Sequence, residues 1–386
     1  MEHQTKKYWL YLEPSVFIFN KENNVLFYDS DSKCKVLCSK NHKIESFVNS
    51  LLQLDNLYGI CLFDSDLEDD ELSNLINNLR QKYMADILPY TENNPVVIPP
   101  IMKCHTNQRS EIQQTEVMPL LNELTFYVNG SCQQKCAHCK DYFHQFGFCH
   151  KNKEELNFIE IKELIHKVLA TITTLKLNFN GGNIFRYTQI NELLAHLQET
   201  QIKSNIYVHY LNWKTSFYKQ ISLCNIYTHI YITSPVNWEV IQSISTQYKD
   251  IPERIKFIFV VEDEDEFESL PYKIEELGID KYSIFPFYNG SNIPFFKNYV
   301  YIKEEDLSEN GPSKREVYKR QLINLNDMGK LIISSDGYYY SNINFPALGK
   351  ITEHITQIIS NEWNKDNVWK RIRKEKPCTE CVYQYL

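Results

Sequence analysis

Residues 124–139 read LTFYVNGSCQQKCAHC, and this stretch determines the fold that we predict for the chain. Residues 124–128 are apolar, aromatic or β-branched, which is typical of a buried β-strand. Three cysteines follow in the spacing C-x₃-C-x₂-C, at Cys132, Cys136 and Cys139. We therefore expect a strand that ends in a short loop carrying three thiol groups.

Three thiolates in one loop can hold three irons of a cubane 4Fe–4S cluster. Such a cluster normally has four cysteine ligands, so a fourth iron would keep an open coordination site. Zinc is an alternative, because it takes four ligands and His138, His144 and His150 lie close by in the sequence. The position of the loop after the first strand of an alternating strand–helix series favours the iron–sulfur cluster.

From residue 121 onward, strand patterns alternate with helical ones. The strand candidates are 124–128, 175–179, 206–210, 230–233, 255–261 and 282–287. The clearest helical stripe consists of Ile161, Leu164, Ile165, Val168 and Ile172. Six strands with helical crossovers predict a parallel sheet, here an open, partial (β/α)₆ TIM-like barrel of the α/β class. In such sheets the site lies at the carboxyl ends of the strands, where the cysteine loop begins.

The sequence predicts four segments. Residues 1–91 contain short aromatic strands at 8–12, 16–19 and 25–28, which suit one small antiparallel sheet, and then two amphipathic helical patterns, as in a winged-helix-like α+β domain. Residues 92–118 are polar and proline-rich and predict a linker. Residues 119–310 form the partial barrel. Residues 311–386 form a C-terminal extension with an Asp-Gly hairpin at 331–340 and the pair Cys378 and Cys381.

Composition excludes several other classes of protein. The net charge of −8 argues against a general nucleic-acid binder. No apolar run approaches the roughly 20 residues of a membrane span, and the first residues do not suit secretion. We therefore expect a cytoplasmic protein without a membrane partner. In a reducing compartment, many of its 11 cysteines would be metal ligands or buried apolar residues.

Taken together, these residues resemble the radical S-adenosylmethionine (SAM) enzymes. The chain is similar to their peptide-maturase (SPASM-type) branch or to a degenerate member of it. The resemblance implies that Cys132, Cys136 and Cys139 bind a 4Fe–4S cluster. His138 stands where the family usually has an aromatic residue, and the resemblance places it beside the cofactor.

A second family element is a Gly-Gly-Glu-Pro segment that follows the second strand and contacts the amino group of SAM. Here residues 180–184 read NGGNI. The resemblance implies that Asn180, Gly181, Gly182 and Asn183 bind SAM. Because Asn183 replaces the glutamate, the contact loses its ionic contribution, and charge-assisted hydrogen bonds are roughly twice as strong as neutral ones.

The resemblance also concerns both ends of the chain. In related maturases a C-x₂-C-x₅-C tail helps to ligate auxiliary clusters, and Cys378 and Cys381 match its first two positions. The third position would fall one residue past Leu386, so either the chain is truncated or the auxiliary site is degenerate. The N-terminal segment resembles modules that bind leader peptides by adding a strand to a sheet edge.

The resemblance implies an enzyme that modifies a ribosomally synthesised peptide through a 5′-deoxyadenosyl radical. Its partners would be a precursor peptide and a one-electron reductant such as ferredoxin or flavodoxin. We identify no catalytic residue beyond the cluster ligands. The alternative is an inactive scaffold that binds a precursor peptide for a partner maturase, and a zinc protein is a third interpretation.

Overall fold

The computed structural model describes residues 6–56, 58–93, 117–134, 136, 145, 154–365 and 367–386. The chain forms two compact units: the first comprises residues 1–111, 302–325 and 371–386, and the second comprises 112–301 and 326–370. The tail is thus grouped with the N-terminal residues, whereas the sequence analysis treated 311–386 as one extension. The functional roles of the four segments stay predictions. None of the helices within the described ranges has the length and apolar character needed to cross a bilayer.

The first unit contains two three-stranded antiparallel sheets. The strands are β1 (Lys7–Leu12), β2 (Val16–Asn20), β3 (Asn24–Asp29), β4 (Lys35–Ser39), β5 (Gly59–Phe63) and β6 (Ala85–Pro89). The central strand of one sheet is β1, and the central strand of the other is β3. The three predicted strands exist, but their grouping in one sheet is wrong, because β1 pairs with β5 and β6 rather than with β2.

The longer helices of the first unit, His42–Leu52, Asp70–Gln81 and Lys314–Leu322, start at polar caps and bury apolar side chains. Asn41 accepts a hydrogen bond from the amide of Ile44 at 2.8 Å and so starts the first helix. That helix buries four apolar side chains, among them Val48 and Leu51, in the core of the unit. The helices are His42–Leu52, Asp64–Leu67, Asp70–Gln81, Asp306–Asn310 and Lys314–Leu322.

The C-terminal tail completes a second apolar cluster in the first unit. Val382 packs with Phe17 and Phe19 of β2. Tyr318, from the helix Lys314–Leu322, joins the same cluster and meets the ring of Phe17 edge-on at 5.0 Å. Three stretches that are far apart in the sequence therefore share this core.

The second unit is built on a nine-stranded, mostly parallel sheet. Its strands are β7 (Glu123–Tyr127), β8 (Lys176–Asn180), β9 (Ser204–His209), β10 (Ile226–Ile232), β11 (Ile255–Val261), β12 (Tyr282–Pro286), β13 (Lys330–Ile333), β14 (Tyr338–Tyr340) and β15 (Gly349–Lys350). From β7 to β12 the strands are parallel neighbours in sequence order, as predicted. The α/β class with a largely parallel sheet is confirmed, while the partial barrel stays a prediction.

The predicted hairpin is present at the other edge of this sheet. β13 pairs in parallel with β7 and antiparallel with β14. Gly337 has φ +79° in the turn between β13 and β14, a left-handed conformation that glycine adopts without steric cost. The Asp-Gly turn therefore extends the sheet beyond its first strand.

Helices connect the parallel strands β7 to β12 and pack with them in one apolar core. They are Phe158–Leu169, Ile190–Thr200, Tyr218–Leu223, Trp238–Gln247 and Glu264–Glu276. Ile293–Phe295 follows β12, and Ile355–Asn364 follows β15. The side chain of Asp263 accepts from the amide of Glu266 at 2.8 Å, so the acidic run at 262–266 marks the start of the helix Glu264–Glu276. Phe126 and Phe179 are fully buried and stack with their ring centroids 5.5 Å apart.

Candidate functional site

The segments that follow β7 and β8 lie side by side at the carboxyl edge of the sheet. Backbone pairing continues past the ends of both strands: the amide of Gly182 donates to the carbonyl of Asn129 at 3.0 Å, and the amide of Asn183 donates to that of Ser131 at 2.8 Å. Two elements that are 50 residues apart in the sequence are therefore in direct contact. This edge is where ligands bind in open parallel sheets.

Both residues of the pair Gly181-Gly182 are glycines for a steric reason. A Cβ atom at Gly181 would lie 2.4 Å from Oδ1 of Asn129. At Gly182 it would lie 2.5 Å from the carbonyl oxygen of Ser131 and 2.9 Å from Cβ of Cys132. Only glycine permits so close an approach. The lack of side chains at this glycine pair therefore lets the beginning of the cysteine segment pack directly against it.

Among the described residues, two N–H groups donate to the sulfur of Cys132. The backbone amide of Gln134 lies 3.4 Å from Sγ, and Nδ2 of Asn212 lies 3.7 Å from it. The same Nδ2 donates to the carbonyl of Gly182 at 3.3 Å. Hydrogen bonds of this kind favour the thiolate form, which is the form that binds metals.

Sequence reasoning missed Asn212. It lies in the short helix Tyr210–Asn212, directly after β9, and is buried. Its place at the carboxyl end of the third parallel strand is the only signal in the sequence that could have identified it.

Cys136 is partly buried, whereas Cys139 and His138 lie outside the described residues. Within the described ranges, no group of three or more His, Cys, Asp or Glu side chains is placed to hold a metal ion. The N–H groups that donate to the sulfur of Cys132, and the glycine pair that contacts this residue, fit a cluster bound by a thiolate. The three-cysteine ligand set itself stays a prediction.

The asparagines of the glycine segment are engaged within the protein. Oδ1 of Asn183 accepts from the amide of Phe185 at 3.1 Å and caps the short helix Ile184–Arg186. Oδ1 of Asn180 accepts from the amide of Gly181 at 2.8 Å. Among the residues that the structure describes, Oδ1 of buried Asn129 has no hydrogen-bond partner. The predicted contact between Asn183 and the ammonium of SAM stays a prediction.

The face of the sheet opposite the buried phenylalanines is polar. A hydrogen-bonded row crosses four neighbouring strands: Asn178 donates to Glu123 at 2.7 Å, Asn205 donates to Asn178 at 2.9 Å, and a ring nitrogen of His229 lies 3.2 Å from Oδ1 of Asn205. Burial lowers the pKa of His229 from 6.5 to about 4, so its imidazole is neutral at pH 7. This row gives one face of the sheet a fixed pattern of donors and acceptors.

A cavity of about 240 Å³ opens on this polar face. Its walls include Asn180 beside the glycine pair, the rings of Tyr207 and Tyr231, and Lys330. Burial raises the pKa of Tyr207, which keeps its hydroxyl protonated. The hydroxyl of Ser341, also in the wall, is buried and has no hydrogen-bond partner in the part of the chain that the structure describes. The cavity is therefore lined by groups able to bind a polar molecule.

The tail cysteines belong to the first unit. Cys378 begins the short helix Cys378–Glu380, and a guanidinium nitrogen of Arg373 lies 3.8 Å from its sulfur. Cys381 is exposed, and its amide donates to the carbonyl of Cys378 at 3.3 Å. An auxiliary cluster at Cys378 and Cys381 stays a prediction.

The fold of this chain is that of the radical SAM enzymes, which confirms the resemblance seen in the sequence at the level of the fold. The particular structures it resembles include SuiB from Streptococcus suis, with a TM-score of 0.51 and 13% identity over 97% of this chain and 94% of SuiB. SuiB bound to the precursor peptide SuiA matches with a TM-score of 0.50, the same identity and the same coverage. The structure of anSMEcpe with bound AdoMet matches less well, with a TM-score of 0.49 and 14% identity over 69% of this chain and 84% of that one. No family model and no curated protein sequence matches the chain.

Proposed function

We propose that this protein is a radical SAM enzyme that modifies a ribosomally synthesised peptide. The observation that carries the proposal is the contact between the cysteine segment and the glycine pair: a Cβ at Gly182 would lie 2.9 Å from that of Cys132. A cluster ligand and a backbone able to approach a cofactor thus meet at the carboxyl edge of a parallel sheet.

In this proposal Cys132, Cys136 and Cys139 hold a 4Fe–4S cluster and residues 180–183 hold SAM. With one electron from a reductant, bound cluster and SAM would supply methionine and a 5′-deoxyadenosyl radical able to take a hydrogen atom from the substrate. The chain's own residues bind and orient the cluster, SAM and the substrate, and they exclude water from the site. Gly181 and Gly182 leave room for the cysteine segment, and Asn212 and Gln134 direct N–H groups at the sulfur of Cys132.

The cavity on the polar face is where we place the reacting part of the peptide. Asn180 belongs both to the glycine segment and to the cavity wall, so the cavity adjoins the proposed cofactor site. SuiB has been seen with its precursor peptide SuiA, which supports a precursor peptide as the partner here. A one-electron reductant is also required, and we assign peptide binding to the first unit.

Anaerobic reconstitution with iron, sulfide and a reductant, followed by an assay for 5′-deoxyadenosine, tests this function. We expect iron and sulfide to be retained and SAM to be cleaved. Cys136→Ala should lose the cluster, because two thiolates do not retain a cubane. Stoichiometric zinc without iron or sulfide in anaerobically purified protein would refute the proposal.

One observation favours the second candidate, an inactive scaffold that binds a precursor peptide for a partner maturase. Oδ1 of Asn183 accepts a hydrogen bond from the amide of Phe185 and the residue is 7% exposed, so one of its two lone pairs is engaged and little of it is accessible to an ammonium. Titration calorimetry of the reconstituted protein with SAM separates the two functions. A loaded cluster without SAM binding would favour the scaffold, and Asn183→Glu should then restore binding if this position faces the ammonium.

A further inference from the structure

Asn212 joins three parts of the candidate site. Its Nδ2 donates to Sγ of Cys132 at 3.7 Å and to the carbonyl of Gly182 at 3.3 Å, while its Oδ1 accepts from Nε2 of Gln134 at 3.3 Å. It is only 5% exposed. Because both partners of Nδ2 are acceptors and the partner of Oδ1 is a donor, the network fixes which way the amide points.

We propose that Asn212 is a positioning residue that fixes the sulfur of Cys132 against Gly182 and sets the reduction potential of the cluster through its N–H···S hydrogen bond. This inference rests on the proposed function, since it requires a cluster on Cys132.

The expected direction follows from charge. Reduction makes a cluster more negative, and N–H groups directed at its sulfurs stabilise the more negative state, so each such bond raises the reduction potential. One of the two donors to Cys132 is the backbone amide of Gln134, which side-chain substitution leaves in place. The other donor is the side chain of Asn212, which can be replaced.

The test is a redox titration of the reconstituted, full-length protein, followed by electron paramagnetic resonance. Asn212→Ala removes the donor. Asn212→Asp keeps the size and the oxygen that accepts from Gln134, but it loses the donor and places a negative charge beside the sulfur. Asn292→Ala is the matched control, because Nδ2 of Asn292 also donates twice, to the carbonyls of Glu262 and Phe287, without touching sulfur.

We expect a more negative midpoint potential in Asn212→Ala, a further negative shift in Asn212→Asp, and no shift in Asn292→Ala. Equal midpoints in the wild-type protein and both Asn212 variants would overturn the inference, even if their melting temperatures fell, and would leave the proposed function intact. If Asn212→Ala does not fold, Asn212→Leu, which is similar in size and has neither a donor nor a charge, takes its place, and the same negative shift is expected. A wild-type protein that binds no cluster would overturn both the inference and the proposed function.

Discussion

Replacing Gly182 by alanine tests whether the cysteine segment needs the glycine pair in order to pack against it. The new Cβ would lie 2.5 Å from the carbonyl oxygen of Ser131, about 0.9 Å short of an ordinary contact. Both atoms nearest to it, O and C of Ser131, belong to the backbone, so no flexible side chain can move aside. Overpacking of this kind costs about 1–3 kcal/mol. For a unit of this size, each kcal/mol lowers the melting temperature by roughly 2–4 °C.

Two measurements are needed, because a loss of stability alone does not locate the effect. Gly278→Ala is the control: its φ of +62° strains an alanine by about 1–2 kcal/mol, yet no atom lies within 4 Å of the new Cβ. We expect both variants to melt earlier and only Gly182→Ala to retain less iron after anaerobic reconstitution. An unchanged melting temperature and full iron content in Gly182→Ala would refute the reasoning.

Three further outcomes are expected. Phe126→Ala removes a fully buried ring stacked on Phe179 and should cost about 3–5 kcal/mol in urea unfolding; a loss below 1 kcal/mol would show that the site collapses without a cavity. His229 has a pKa lowered to about 4 in the folded protein, so the unfolded chain binds a proton at this residue more readily than the folded one does. The free energy of unfolding should therefore fall by about 3 kcal/mol as the pH drops from 6.5 toward 4. In thermal melts taken across this pH range, His229→Gln should show a smaller loss of stability than the wild-type protein. Asn157→Ala removes the cap of the helix Phe158–Leu169 and should cost about 1 kcal/mol in the same urea assay, whereas an unchanged midpoint would show that the amide of Ile159 finds another acceptor.

Local patterns were enough to predict the parallel sheet. The strands from β7 to β12 show apolar or alternating runs with helical patterns between them, and such a series permits few topologies. The contact between the cysteine segment and the glycine pair was not among the predictions, although both segments come directly after neighbouring parallel strands. This part of the fold depends on connections that are short in sequence.

Features that depend on distant contacts were not predictable. β5 begins at Gly59, and β6 contains Asp86 and ends at Pro89, which are residues that weaken a strand pattern. Both strands form because β1 lies between them. Asn212 lies 80 residues from Cys132, and only its place at the end of the third parallel strand connects it with the site.

The core shared by Phe17, Phe19, Tyr318 and Val382 has a consequence for biosynthesis. Because the ribosome makes β2 long before Val382, this core cannot finish packing until residue 382 has emerged. During translation the aromatic side chains of β2 lack their final neighbours while the strands of the parallel sheet are being synthesised. Expression of residues 1–111 alone would therefore yield an unfinished module that leaves these rings open to aggregation.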